Sequence, residues 1–290
     1  MRGTLVAILV ALAFGVGAGS AASPTLQHVT VIGDSVADGV ANDSSAMAIL
    51  RQGIDLDMEA AACRRVDQTS CSSNGVQPPN VVQFAKQMGS KLGPTVVVSV
   101  GYNDFEDQYA GNIESALAAF KAAGVKRVYW LTLRAAHHGY VNMNDDIEAA
   151  AQNHPEMSVI DWNVYSRSHP DWFQADGLHL LGDGSDAMAM LIHTRLIADG
   201  VALKPVSVTT TTLPLAHQAK PYLARLGERD GLPPYKWSLL ERAPKGLHLL
   251  AGGALEGKPL VKPGTYRLGV KVSDSSGTSA TRSLALRVTK

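Results

Sequence analysis

The chain has 290 residues, 46% of them hydrophobic, with 26 acidic and 26 basic side chains that balance to zero. That length and apolar content suffice for one large domain and a small one. The charge balance argues against nucleic acid or an anionic bilayer surface as the main partner and fits a neutral or weakly polar substrate better.

Residues 1–22 open with Met1-Arg2, run through an apolar stretch from Leu5 to Val16 and end in small residues at Ala22. This is the pattern of a secretory signal peptide removed near Ala22, which predicts a secreted or extracytoplasmic protein. The strongly apolar part is shorter than the ~20 residues a membrane span needs. From His28 to Gly200, short apolar runs alternate with amphipathic stretches, as in parallel strands joined by crossover helices. Strands are predicted at 28–33, 54–60, 95–100, 126–133 and 157–162, and helices at 43–52, 80–92, 109–123, 144–153 and 183–199. Gly124 is read as a helix-terminating glycine. The order predicts a doubly wound α/β parallel sheet, with binding sites beyond the carboxyl ends of the strands.

After Gly200 the texture changes to Pro, Gly, Thr and Val with little helical periodicity. The α/β domain is therefore placed at 23–204 and a small all-β domain at 205–290. Alternation of Tyr266, Leu268, Val270 and Val272 fits a strand with one buried face. Trp237 is expected to anchor the core, and Asp274 to open the turn before Gly277.

The two cysteines, Cys63 and Cys71, stand eight positions apart. In an exported chain they are expected to form a disulfide. No further cysteine exists to complete a structural zinc set, and neither a metal nor a cofactor is predicted. His137 and His138 follow a strand and are read as loop or substrate-facing residues rather than a metal pair.

Three segments carry chemistry. The apolar run that ends in Gly33-Asp34-Ser35 breaks into a tight turn and offers Ser35 as a nucleophile. Asp176-Gly177-Leu178-His179 puts a carboxylate three residues ahead of an imidazole, so a short turn can aim one at the other. Gly101-Tyr102-Asn103-Asp104 follows the apolar run 95–100 and places an amide side chain at the same sheet edge. Serine needs an adjacent base as it attacks, and neutral imidazole is the usual one. Asp34, Asp38 and Asp104 are expected to hydrogen-bond backbone, and Arg64 and Arg65 to be solvated or salt-bridged. Phe105, Tyr109, Trp172 and Phe173 are candidates to line the cleft.

These blocks, in this order over roughly residues 28–200, resemble the SGNH hydrolases, also called the GDSL esterase and lipase superfamily. The resemblance implies a flavodoxin-like sheet, Ser35, Asp176 and His179 as catalytic residues, and an oxyanion hole from the Ser35 N–H, the Asn103 side chain and a backbone N–H after the second strand. Where the family pattern expects a glycine, this chain reads Ala60-Ala-Ala-Cys63-Arg64-Arg65. The N–H of Cys63 or Arg64 can fill that role, with Cys63 preferred. The last segment resembles the immunoglobulin-like, cadherin-related modules of secreted bacterial proteins.

The resulting expectation is a secreted serine esterase that hydrolyses carboxylic esters through an acyl-enzyme, with short acyl groups on a carbohydrate or similar polar molecule as substrate. An O-acyltransferase using the same triad, and a non-catalytic cell-wall or glycan-binding protein, are the alternatives. Cell-wall or glycan contact through the second domain is expected, and nucleic acid is not.

Overall fold

The structure is a computed structural model and describes residues 27–135 and 138–290. The signal-peptide segment 1–22 and His137 lie outside the described residues, as does the side chain of His138.

The first part of the chain alternates strands and helices in the order His28–Gly33 (β1), Ser35–Ala41 (α1), Ser44–Leu50 (α2), Asp55–Ala60 (β2), Val81–Met88 (α3), Thr95–Ser99 (β3), Tyr109–Ala123 (α4), Arg127–Leu131 (β4), His138–Asn153 (α5), Met157–Ile160 (β5), Trp162–Ser166 (α6) and Gly182–Ala198 (α7). The five strands form one parallel sheet in the order β2-β1-β3-β4-β5. The strands β1, β3 and β4 are buried nearly throughout because both faces are covered, while the edge strand β2, Asp-Leu-Asp-Met-Glu-Ala, alternates acidic and apolar residues. Along β3, Val96 and Val98 pack toward α3, α4 and α5, while Val97 between them packs toward α1, α2 and α7. The chain leaves β1 toward β2 and then returns to place β3 on the other side of β1, which makes the β1/β3 edge the topological switch point.

The predicted strands all form, each within two residues of its expected ends. Two differences matter. Ser35 does not sit in a free turn but begins α1, a short helix missed because it contains Gly39 and spans only Ser35–Ala41. Helix α5 starts at His138, six residues earlier than its apolar periodicity. Gly124 does end α4, in a left-handed conformation at φ 90°.

The remainder is antiparallel apart from one short parallel pairing: Ser207–Val208 (β6), Ala216–His217 (β7), Tyr222–Arg225 (β8), Glu228–Arg229 (β9), Lys236–Leu239 (β10), Leu247–Leu249 (β11), Ala254–Gly257 (β12), Gly264–Ser273 (β13) and Ser279–Thr289 (β14). A four-stranded sheet β10-β13-β14-β7 and a three-stranded sheet β11-β12-β8 enclose an apolar core. Leu268, Val270 and Val272 are buried as their alternation predicts, and Trp237 is 3% exposed, its Nε1 donating to Glu228. Asp274 accepts from the backbone of Leu232 and Thr278 and from the hydroxyls of Ser276 and Thr278, locking the turn as expected. The two parts meet at Lys204, whose N–H donates to Gly53 O, whose carbonyl accepts from Gly231, and whose ammonium pairs with Asp55 at 2.7 Å.

Candidate active site

Gly33 ends β1 where α1 folds back over it. A Cβ at this position would stand 2.3 Å from that of Ala37, so only glycine permits the approach that puts Ser35 at the carboxyl end of the strand. Asp34 caps the helix, its Oδ1 accepting from the Val36 N–H at 3.0 Å. Its other oxygen accepts from the N–H groups of Gly101 and Tyr102, both at 3.2 Å, so one carboxylate ties the end of β1 to the segment that follows β3. Asp34 is fully buried, and burial outweighs these three bonds, pushing its pKa up to about 6. The sequence predicts a local backbone role for Asp34. The cross-strand half of that role needed the β1/β3 register, Gly33 opposite Ser99, to be seen.

His179 and Asp176 lie on a turn closed at its base by the Phe173–Leu180 bridge and by Gln174 N–H donating to His179 O. Asp176 Oδ1 accepts from the N–H groups of Leu178 and His179, and Oδ2 lies 2.7 Å from His179 Nδ1. These bonds, the imidazole first, lower the Asp176 pKa to about 2. With Nδ1–H directed at the carboxylate, Nε2 is left with a lone pair, and it sits 3.0 Å from Ser35 Oγ. The structure thus brings Ser35, His179 and Asp176 into one hydrogen-bonded chain in the order the sequence motifs suggest.

Asn103 follows β3, beside β1 in the sheet, and its Nδ2 donates weakly to Arg64 O at 3.4 Å. The opposing loop after β2 carries Cys63, bonded to Cys71. Cys63 has φ 69°, the left-handed conformation that favours glycine, so this chain keeps a glycine-like backbone where the residue itself is absent. The Arg64 N–H donates to Ala61 O and is spent. The Cys63 N–H has no hydrogen-bond partner among the described residues, which separates the two candidates for a third donor.

Arg64 is not solvated, Arg65 is half-buried, and neither is salt-bridged among the described residues. Arg64 is 4% exposed, donates to the carbonyls of Glu59 and Pro79 and lies over the Phe84 ring. Arg65 donates to Asn103 O at 2.7 Å and to Thr69 O, and covers the Phe105 ring at 4.5 Å. Asp104 accepts from the Val66 N–H and from Asn112, and its burial raises its pKa to about 7. Among the aromatic candidates, Tyr109 and Phe173 are core residues, 0% and 5% exposed, because Tyr109 donates to Val100 O and Phe173 packs under Arg134. Phe105 is exposed, and Trp172 is half-buried with His169 stacked on it at 3.8 Å. A groove of about 370 Å³ runs past Asp176, with Arg134, Asn163 and Arg167 in its walls. No group of three or more His, Cys, Asp or Glu side chains that could hold a metal occurs among the described residues.

Residues 204–289 match the family described as "Putative Ig domain". The "Putative peptidoglycan O-acetyltransferase YrhL" of Bacillus subtilis is 25% identical over 120 residues, 41% of this chain and 18% of that protein. O-acetyltransferase OatA of Staphylococcus aureus is 31% identical over 105 residues, 36% of this chain and 16% of that protein. The chain therefore matches less than a fifth of the length of these relatives. Among solved structures, the catalytic domain of Streptococcus pneumoniae peptidoglycan O-acetyltransferase A aligns with TM-score 0.46 and 17% identity, covering 60% of this chain and 94% of that one. The esterase EstA of Pseudoalteromonas sp. aligns with TM-score 0.45 and 11% identity, covering 60% and 97%. No helix among the described residues is long and apolar enough to cross a membrane. The parallel sheet in the order β2-β1-β3-β4-β5, with helices on both faces, is an SGNH-like fold, and residues 204–289 form a C-terminal immunoglobulin-like module.

Proposed function

We propose that the protein is an exported serine esterase that removes short acyl groups from a carbohydrate or similarly polar molecule. The observation that carries this reading is the 3.0 Å approach of His179 Nε2 to Ser35 Oγ, with Asp176 on the far side of the ring. In the first step Ser35 Oγ attacks the ester carbonyl carbon while its proton passes to Nε2. Asp176 holds the ring in the required tautomer and stabilises the imidazolium without taking the proton. The oxyanion is met by the N–H of Ser35, the Asn103 side chain and the Cys63 N–H, each such donor being worth about 3 to 4 kcal/mol of barrier. Collapse expels the alcohol, which takes the proton from Nε2 and leaves the acyl group on Ser35. Water then repeats the sequence and releases free acid. The polar walls of the groove beside Asp176 suit a sugar better than a long acyl chain.

The experiment is Ser35→Ala assayed on p-nitrophenyl acetate. Turnover should fall by about 10⁴-fold or more, with the circular dichroism spectrum unchanged. A folded variant that keeps full activity would place the nucleophile elsewhere.

A second reading is favoured by the names of the curated relatives, which are O-acetyltransferases. In it a carbohydrate hydroxyl replaces water in the second half-reaction, with the same residues in the same roles. Product analysis with and without a sugar acceptor separates the two, because hydrolysis alone never diverts acyl from free acid.

A further inference from the structure

The zero net charge of the chain conceals a division. Residues 205–290 hold 13 of the 26 basic side chains and 5 of the 26 acidic ones, a net of +8, and the remainder carries −8. The excess on the module is not spread evenly over its two sheets. On the outer face of β13, Arg267 and Lys271 alternate with the buried Leu268, Val270 and Val272. Arg287 points to the same side of β14, opposite Thr265, and Lys236 to the same side of β10, opposite Ser273. Positions between these cations are small or hydroxyl-bearing, with Ser238 and Thr281 flanking Lys271 and Ala285 facing Arg267, apart from the exposed Leu240, which lies over Gly269. No acidic residue lies on this face of the three strands. None of the four cations forms a salt bridge among the described residues. The other sheet differs, since its outer side pairs His248 with Glu256 and exposes Leu223.

An unneutralised row of cations costs self-repulsion unless a counter-charge arrives. We infer that the outer face of β10-β13-β14 is a docking surface for an anionic glycan polymer, gripped by Lys236, Arg267, Lys271 and Arg287. Arg267 and Lys271 are four residues apart on one strand, about 13 Å, so a linear polyanion can meet both. Hydroxyls between the cations offer hydrogen bonds to a sugar chain, while the face has no aromatic side chain and a single exposed apolar one, Leu240 lying over Gly269, too little to anchor it in a bilayer. The acidic parallel-sheet part is repelled by the same polymer, so docking holds the chain by one end. This surface lies on a different part of the chain from Ser35 and does not depend on the esterase reading.

The test is retention of the full-length protein on immobilised polygalacturonate, with neutral dextran as the control. Retention is expected in about 0.1 M salt and release in about 1 M, as the screening length shortens from about 10 to about 3 Å. The variant K236Q/R267Q/K271Q/R287Q should bind about 10- to 100-fold more weakly, with turnover of p-nitrophenyl acetate unchanged. Equal retention of variant and wild type overturns the inference, as does equal retention on dextran. Binding to phosphatidylglycerol vesicles without binding to polygalacturonate would make the face a membrane surface instead. Salt-sensitive self-association lost in the variant, again without polygalacturonate binding, would make the occupant a second copy of the chain.

Discussion

The turn that carries Asp176 and His179 is organised by hydrogen bonds between residues two to six positions apart, whereas the wall that carries Asn103 is organised by bonds spanning 38 to 68 positions. The first is a device that a short peptide can encode. The second exists only once β1, β2 and β3 have paired and the loops at their ends have been brought together. The base side of the site can therefore be damaged one residue at a time, while the oxyanion side has several contacts that share each load.

The largest expected effect is on the local side. In Asp176→Asn the amide no longer accepts the Nδ1 proton as a carboxylate does, so the ring loses both its tautomer and its counter-charge. By analogy with serine-protease triads kcat should fall about 10⁴-fold, with thermal stability little changed because Asp176 is exposed. A loss below tenfold in the assay on p-nitrophenyl acetate would show that the turn orients His179 without this carboxylate.

On the non-local side, Asn103→Ala should cost less, about 10² to 10³-fold in kcat with KM nearly constant. The backbone of residue 103 keeps its anchor, because Arg65 holds the carbonyl and not the side chain. A rise in KM at unchanged kcat would mean that Asn103 contacts the substrate in its ground state and takes no part in meeting the oxyanion.

The same contrast explains what could be read from the chain. Period and composition located all five strands of the parallel sheet, because four are apolar runs bounded by turn residues and β2 alternates Leu56, Met58 and Ala60 with acidic residues. Ser35, Asp176, His179 and Asn103 were legible because each stands in a local block at a strand end or in a tight turn. Illegible from sequence were the features that depend on register: Asp34 reaching Gly101 and Tyr102, Arg65 reaching Asn103, and the burial of Tyr109 beneath the site. Cys63 was hidden for another reason, since a left-handed backbone at a non-glycine residue leaves no compositional mark. Helix α1 was missed because seven residues with an internal glycine carry too little periodicity to stand out.

The two walls also titrate in opposite senses. Asp176, exposed and bonded to an imidazole and two N–H groups, has its pKa lowered to about 2, so its contribution to stability is present above the ordinary carboxylate value and is lost as pH falls from about 4 toward 2. Asp34, buried, has its pKa raised to about 6, so the folded state binds the proton more tightly than the unfolded chain. Its contribution is therefore present below the ordinary carboxylate value and disappears as pH climbs through about 6. A shift of this size corresponds to about 3 kcal/mol. Asp104, raised to about 7, acts in the same direction over a slightly wider window. Urea midpoints measured from pH 4 to 7 should fall as pH rises. Asp34→Asn, which like the protonated acid carries no charge at any pH, should have a midpoint that varies less between pH 4 and 6. A wild-type midpoint that is flat or rising across that range would mean the three N–H bonds outweigh burial, so that Asp34 is ionised in the folded protein well below pH 6.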